Sequence, residues 1–287
     1  MEARGMVNAL TIDVEDYYHV SALAAAIPRA RWPEMERRVV TNTRHLLDLL
    51  DTHGVRATFF CLGVVAEEQP ALIREIHDRG HEVACHGYAH ELVYRQTPAT
   101  FRGEVVRAKG CLEEIIGAPV LGYRAASYSI TRRSLWALDV LHEAGFAYDS
   151  SIFPIHHDRY GIPDFPRFPH RVRGSAGDGL VEFPLTTARL LGRNLPVAGG
   201  GYLRLLPAAL TYWGVGRVNR REGQPAILYL HPWEIDPGQP RQRVGWLTQI
   251  RHYHNLGRME PRLVGLLERF RFDTAARVLG LEEGHHG

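Results

Sequence analysis

The chain has 287 residues, 45% hydrophobic and 23% charged, the proportions of a soluble globular enzyme built as one large domain or two small ones. Its 34 basic and 32 acidic side chains leave a net charge of +2, and the basic pairs Arg37-Arg38, Arg132-Arg133 and Arg220-Arg221 are scattered, which excludes a nucleic-acid-binding patch. Three cysteines without CxxC spacing (Cys61, Cys85, Cys111) exclude a disulfide framework and read as small buried hydrophobes, and no apolar run approaches the ~20 residues of a membrane-spanning helix. The N-terminus also lacks the apolar core of a secretory signal, so a cytoplasmic protein without an integral membrane segment is expected.

Short apolar runs alternate with helical patterns along most of the chain. Val7–Ile12 predicts a strand, and Thr41–His53 an amphipathic helix ending at Gly54. Arg56–Leu62 predicts a second strand, Ala71–Arg79 a helix stopped by Gly80, and Glu82–Cys85 a third strand running into His86. Pro98–Ile116 predicts a long helix ending at Gly117, followed by strand Val120–Tyr123 and helix Ser134–Ala144. Residues 151–201 are rich in Pro and Gly, with only Leu180–Leu185 strand-like, and read as long loops over the mouth of the fold. After the apolar run Ile227–Leu230 the chain returns to helix over Gln242–Leu256, Pro261–Phe270 and Thr274–Leu279. Alternation at this spacing predicts an α/β fold of parallel strands, most simply a barrel, whose chemistry gathers where strands end.

Asp13, His86, Arg124 and His231 all fall at such ends. His86-Gly-Tyr-Ala-His90 places two imidazoles four apart, one face of a helical turn, within reach of one ion. Asp13-Val-Glu15-Asp16 supplies anionic ligand and base, and His231-Pro-Trp-Glu234 a further histidine. Metal-assisted hydrolysis uses such a set, with one carboxylate on the metal, another free as base, and a histidine left as acid. Glu234 and Asp236 read as parts of a solvated loop, and His156-His157, His252/His254 and His285-His286 as surface or tail residues rather than a second metal site.

With these residues in place, the chain resembles the polysaccharide deacetylases of the NodB-homology type, carbohydrate esterase family 4, and within them the subfamily of exosortase and exopolysaccharide loci. The motifs that carry the resemblance are Thr11-Ile12-Asp13-Val14-Glu15-Asp16, His86–His90, Tyr123-Arg124-Ala125-Ala126-Ser127-Tyr128, Tyr148-Asp149-Ser150-Ser151 and Leu228-Tyr229-Leu230-His231. The resemblance implies a distorted, incomplete (β/α) barrel spanning 1–287 as a single domain, with a loop-rich insert at about 151–201 and a helical extension at about 242–287. It implies removal of N-acetyl groups from amino sugars of an exopolysaccharide or its precursor, using one divalent metal, zinc first, with cobalt, nickel or iron as alternatives.

Asp13 would act as base on a metal-bound water and His231 as acid on the departing amine. Arg124 would pair with Asp13, and Asp149 would orient His231 or stabilise its cationic form. His86 and His90 would bind metal, with Tyr128 and Trp233 on the substrate and a backbone N–H near Ser127 or Tyr128 on the oxyanion. Most family members carry two adjacent aspartates, whereas Val14 stands in the second place here. Alternation in an extended chain favours Glu15 as the carboxylate ligand, and Asp16 is the competing candidate. The same fold could act on another amide, a formamido sugar or cyclic amide, or serve as a non-catalytic glycan-binding module.

Overall fold

The computed structural model describes residues 5–172 and 179–281. The first half alternates strand and helix: β1 (Val7–Val14), α1 (Val39–Thr52), β2 (Thr58–Cys61), α2 (Gly63–Glu68), α3 (Pro70–Asp78), β3 (Glu82–Cys85), α4 (Pro98–Ile116), β4 (Gly122–Tyr123), α5 (Trp136–Glu143) and β5 (Tyr148–Asp149). Strands β6 (His170–Arg171), β7 (Val181–Glu182), β8 (Thr187–Leu190) and β9 (Arg193–Pro196) follow. Helices α6 (Gly200–Leu205) and α7 (Ala208–Arg217) then lead to β10 (Ile227–Leu230). Last come α8 (Trp246–Tyr253), α9 (Met259–Leu267), β11 (Arg271–Asp273) and α10 (Ala275–Val278).

One curled, mostly parallel sheet runs β10-β1-β2-β3-β4-β5-β7-β6, with β11 also beside β1 and only β6–β7 antiparallel. It is the incomplete α/β barrel that the sequence implies. The two-residue period sorts its side chains. In β1, Leu10, Ile12 and Val14 pack beneath the outer helices, while Ala9, Thr11 and Asp13 turn to the inside. Phe60, Ala84, Ile227 and Tyr229 share that inner face, and Phe59, Cys61, Val83, Cys85, Leu228 and Leu230 the outer one.

At the N-terminal edge the interior is plugged. Glu82 accepts hydrogen bonds from Thr58 Oγ1 (2.5 Å), Tyr148 OH (2.8 Å) and the Ala276 N–H at the start of α10 (3.1 Å). The open end of the barrel is therefore its C-terminal edge. Helix boundaries follow from capping: α4 starts at Thr97, whose hydroxyl accepts from the Thr100 N–H, has Pro98 in its first turn, and stops at left-handed Gly117.

The expected elements are found with altered ends. Helix α8 covers only part of 242–256, because Gly245 precedes it and left-handed Asn255 follows it. Residues 151–201 hold more structure than long loops: β6, β7, and the β8–β9 hairpin. That hairpin turns at Leu191-Gly192, both at positive φ (49° and 78°), and leucine is an unusual occupant of the first position. Helix α7, a π-helical turn at Val218–Glu222 and β11 were likewise not expected. His285-His286 and the end of the helical extension lie outside the described residues. No helix among the described residues is long and apolar enough to cross a membrane.

Gly122 shows how tightly the inner face is filled: a Cβ there would overlap the Tyr148 ring. Gly122→Ala is expected to lower stability by about 2 kcal/mol or more, read as a shifted urea midpoint at unchanged slope.

Candidate active site

The inner residues converge at the C-terminal edge. Asp13 is the penultimate residue of β1 and is buried. Just after it the Glu15 N–H donates to the Asp13 carbonyl (2.9 Å), a tight turn that brings the Glu15 side chain into the same cavity. Glu15 and Asp13 thus meet through a turn, not through strand alternation. Asp16 goes elsewhere, which corrects its candidacy as ligand. Its Oδ1 accepts from the Tyr17 N–H (3.0 Å), and its Oδ2 from the Arg38 (2.8 Å) and Val39 (3.0 Å) N–H groups at the start of α1. Unsatisfied helix donors claim this carboxylate.

His86 and His90 reach the cavity from a bend, not the helical turn expected, with Gly87 at φ 77° and His90 at φ 56°. The Nδ1 of His86 donates to the Arg124 carbonyl (2.8 Å), which leaves its Nε2 as a free lone pair. Burial lowers the His86 ring to about 4, so it is neutral at neutral pH. Ligand atoms of Glu15, His86 and His90 lie within 4.8 Å of one another, the one such group of three found among the described residues. Glu15 Oε2 is buried and accepts no hydrogen bond, although His90 Nε2 stands 2.9 Å away. The cluster has more acceptor capacity than the protein has donors, and a divalent cation fits that imbalance; two imidazoles and a carboxylate suit zinc and leave a position open.

Arg124 is fully buried. One terminal nitrogen donates to Asp13 Oδ1 (2.7 Å) and Thr11 Oγ1 (2.6 Å); the other donates to Ser150 Oγ (3.0 Å), and Nε to the Ser150 carbonyl (3.1 Å). His231, just past β10, faces these groups, with Nε2 3.4 Å from Glu15 Oε1 and 3.8 Å from Asp13 Oδ2.

On its other side His231 contacts a residue that sequence reasoning assigned to solvent. Glu234 is completely buried, and its Oε2 accepts from both the His231 backbone N–H (3.0 Å) and Nδ1 (2.9 Å). Its Oε1 accepts from Arg204 Nε (2.6 Å), whose terminal nitrogens bind the carbonyls of Arg251 (2.8 Å), His252 (3.0 Å) and His254 (3.1 Å). Burial works against charge on His231, but Glu234 outweighs it, aided by Glu15 and Asp13, and raises the ring to about 9. Burial would also raise Glu234, yet Arg204 and His231 bring it down to about 2. The spacing His231-Pro-Trp-Glu234, a capping box with proline in the first turn, was the available signal. Arg204 left none.

Trp233 stacks against His231 (ring centroids 5.1 Å apart) and, on the same element, donates from Nε1 toward Glu15 Oε1 (3.4 Å). His252 is buried against Trp233 and is no surface residue. Tyr128 and Ser127 lie at the rim, both left-handed (φ 54° and 50°), a strain that a site commonly retains. The Tyr128 N–H is spent on the Ala125 carbonyl (3.0 Å), so of these two the Ser127 N–H is the one without a partner among the described residues. These residues enclose a cavity of about 390 Å³, with Val20–Ala22 and Tyr160 on its walls.

Asp149 does not reach His231, and the role expected for it falls to Glu234. It is the register partner of Glu182 on the neighbouring strand. Both are buried, Asp149 Oδ1 accepts from Ser151 Oγ (2.5 Å), and each carboxyl keeps one oxygen without a donor. Burial raises Asp149 to about 6 and Glu182 well above its usual range, so the pair shares a proton.

A polysaccharide deacetylase family model matches residues 33–148, and a model described as a domain of unknown function (DUF3473) matches 150–280. The likeness to polysaccharide deacetylases is thus shown for residues 33–148, less than half of the chain. It is similar to a chitooligosaccharide deacetylase of Bradyrhizobium, 36% identical over 99 residues that make up 34% of this chain and 43% of that protein. A peptidoglycan-N-acetylglucosamine deacetylase of Bacillus cereus is 32% identical over 75 residues, 26% of this chain and 27% of the other. The chain thus spans less than half the length of these curated relatives. In fold it resembles a crystal structure from Mycobacterium smegmatis assigned to the polysaccharide deacetylases (TM-score 0.62, 22% identity, 96% of this chain and 90% of that one). A pseudoenzyme of carbohydrate esterase family 4 from Bacillus anthracis shares the fold at TM-score 0.50 and 14% identity, covering 97% of this chain and 67% of that one.

The two matched segments and the residues before them build one cavity. Residues before 33 bring Asp13 and Glu15, the deacetylase segment His86, His90 and Arg124, and the 150–280 segment His231, Glu234 and Arg204.

The Asp149–Glu182 pair gives a pH test. A carboxyl raised in the folded state holds a proton that the unfolded chain releases, so stability falls as pH climbs above the ordinary values of 3.8 and 4.5, and Glu182, raised further than Asp149, carries the fall to the higher pH. Glu182→Gln supplies a donor to Asp149, and is expected to flatten that slope and to add about 1–3 kcal/mol at pH 7, measured by urea denaturation across pH.

Proposed function

We propose that the protein is a metal-dependent N-deacetylase acting on an N-acetylated amino sugar of an exopolysaccharide or its precursor, of the kind handled in exosortase-type loci. One observation carries the reading: a three-donor cation cluster, an arginine-held carboxylate and a glutamate-held histidine open on the same cavity. A glycan-binding module has no use for all three.

Glu15, His86 and His90 would hold the ion, which when bound supplies Lewis-acid polarisation of a carbonyl and acidifies water. Asp13 takes the proton from the attacking water with its Oδ2, since Oδ1 is fixed by Arg124. The Ser127 N–H would be the backbone donor to the oxygen that gains charge as the carbonyl carbon becomes tetrahedral. His231 Nε2 gives its proton to the sugar nitrogen as the C–N bond breaks, while Glu234 holds the ring through Nδ1. Trp233 fixes the other face of that ring and, with Tyr128 and Tyr160, leaves an aromatic rim for a sugar.

Metal content and turnover separate these roles. Wild type is expected to hold near one equivalent of divalent metal and to release acetate from N-acetylglucosamine oligomers until a chelator is added. Glu15→Ala and His86→Ala lose metal and turnover, whereas Asp16→Ala keeps both and only loses stability. Asp13→Asn keeps metal and loses turnover by about 10³-fold. Metal-replete protein that releases formate from N-formyl sugars, and no acetate, would move the reading to a deformylase. Protein that binds oligosaccharide without turnover would make it a binding module.

Glu234→Gln removes the charge behind His231 while keeping its shape. We expect about a 10²-fold loss of kcat with metal content unchanged, and an activity equal to wild type would refute the positioning of His231 by Glu234.

A further inference from the structure

Helix α8 turns its apolar face outward. Trp246, Leu247 and Ile250 are 70%, 51% and 47% exposed and occupy one side of the helix, where a packed helix would bury them. The charges of the flanking sequence are equally one-sided. Residues 237–259 contain Arg241, Arg243, Arg251 and Arg258 and not one Asp or Glu. Several exposed arginines elsewhere do find carboxylates, as Arg29 does Glu91, Arg44 Glu75 and Arg107 Glu67. Among the described residues these four have no ion-pair partner.

The segment is not held there by loose packing. Arg204 binds three carbonyls at the C-terminal end of α8, Tyr253 OH accepts from the Gln242 N–H (2.8 Å), and Gln249 Nε2 donates to the Gln242 carbonyl (2.7 Å). The apolar face is thus presented on a fixed support. An exposed Trp–Leu–Ile face flanked by unpaired arginines suits the boundary between the headgroups and acyl chains of an anionic bilayer, where tryptophan is at home and each arginine is attracted. A helix of this length cannot span a bilayer and lies on it.

From this arrangement we infer that α8 docks the protein on anionic membrane surfaces. The face borders the site: α8 packs against the turn Ser21–Leu23, and Ser21 and Ala22 line the cavity. A docked molecule therefore holds the cavity mouth beside the headgroup layer, where a lipid-carried glycan would present its sugar. The docking itself stands without the deacetylase reading.

The test is sedimentation of the full chain with vesicles of phosphatidylcholine alone or mixed with phosphatidylglycerol. Binding is expected to the mixed vesicles only and to weaken with added salt. The triple variant Trp246→Ala/Leu247→Ala/Ile250→Ala abolishes it, and Arg241→Gln/Arg243→Gln weakens it by about tenfold or more. All of these positions are on the surface, and unchanged near-ultraviolet circular dichroism confirms the fold of each variant. Absence of binding to the mixed vesicles, or equal binding by the folded triple variant, overturns the inference. So does a dimer in solution that the triple variant dissolves, since a second copy would then own the face.

Discussion

The site depends on one buried cation. Arg124 is removed from water at a cost of several kcal/mol, by the general estimate of about that size for a desolvated ion, and its five donors must recover it. Four go to Thr11, Asp13 and Ser150, and its plane lies over Phe60 at 4.1 Å, so β1, β2 and the end of β5 are tied at one point. Its backbone does as much: the N–H donates to Cys85 (2.9 Å) and the carbonyl accepts from His86. The carboxylate proposed as base and a histidine proposed as ligand therefore take their positions from the same residue. Their separation is set by strand register, which packing on both sheet faces makes hard to slip.

A second polar chain organises the opposite wall. His231 rests on Glu234, Glu234 on Arg204, and Arg204 on three carbonyls at the end of α8. Every member is buried or nearly so, and every charge has a partner, the condition under which a buried network stabilises a unique arrangement. Trp233 fills the space between the His231 and His252 rings, so the histidine is fixed in plane as well as through its Nδ1.

How much of this was legible follows from the range of each interaction. The strands that carry Asp13, His86, Arg124 and His231 announce themselves by apolar runs, and α4 by Thr97, Pro98 and Gly117, because those signals are local. Asp16 and Asp149 were misjudged because carboxylates beside a motif look alike until their donors are known: helix N–H groups claim the first, and a neighbouring acid faces the second. Glu234 reads as solvated in sequence because polarity in a short loop usually means water, whereas the buried Arg204 and the half-buried His231 lie on either side of it. Arg204 is 27 positions before His231 on another helix, and no periodicity connects them.

The two family models meet between residues 148 and 150, but the structure has no boundary there. Residue 149 ends β5, β5 pairs with β7 beyond it, and β10, deep in the second segment, pairs with β1 near the N-terminus. Removing residues 150–280 would expose the long edge of β1 and take away β10 together with His231, Glu234 and Arg204. The first segment alone keeps two histidines and the arginine but has no wall opposite them. The second segment therefore completes the sheet and the cavity in one step, and its buried Arg204 and Glu234 supply the charges behind that wall.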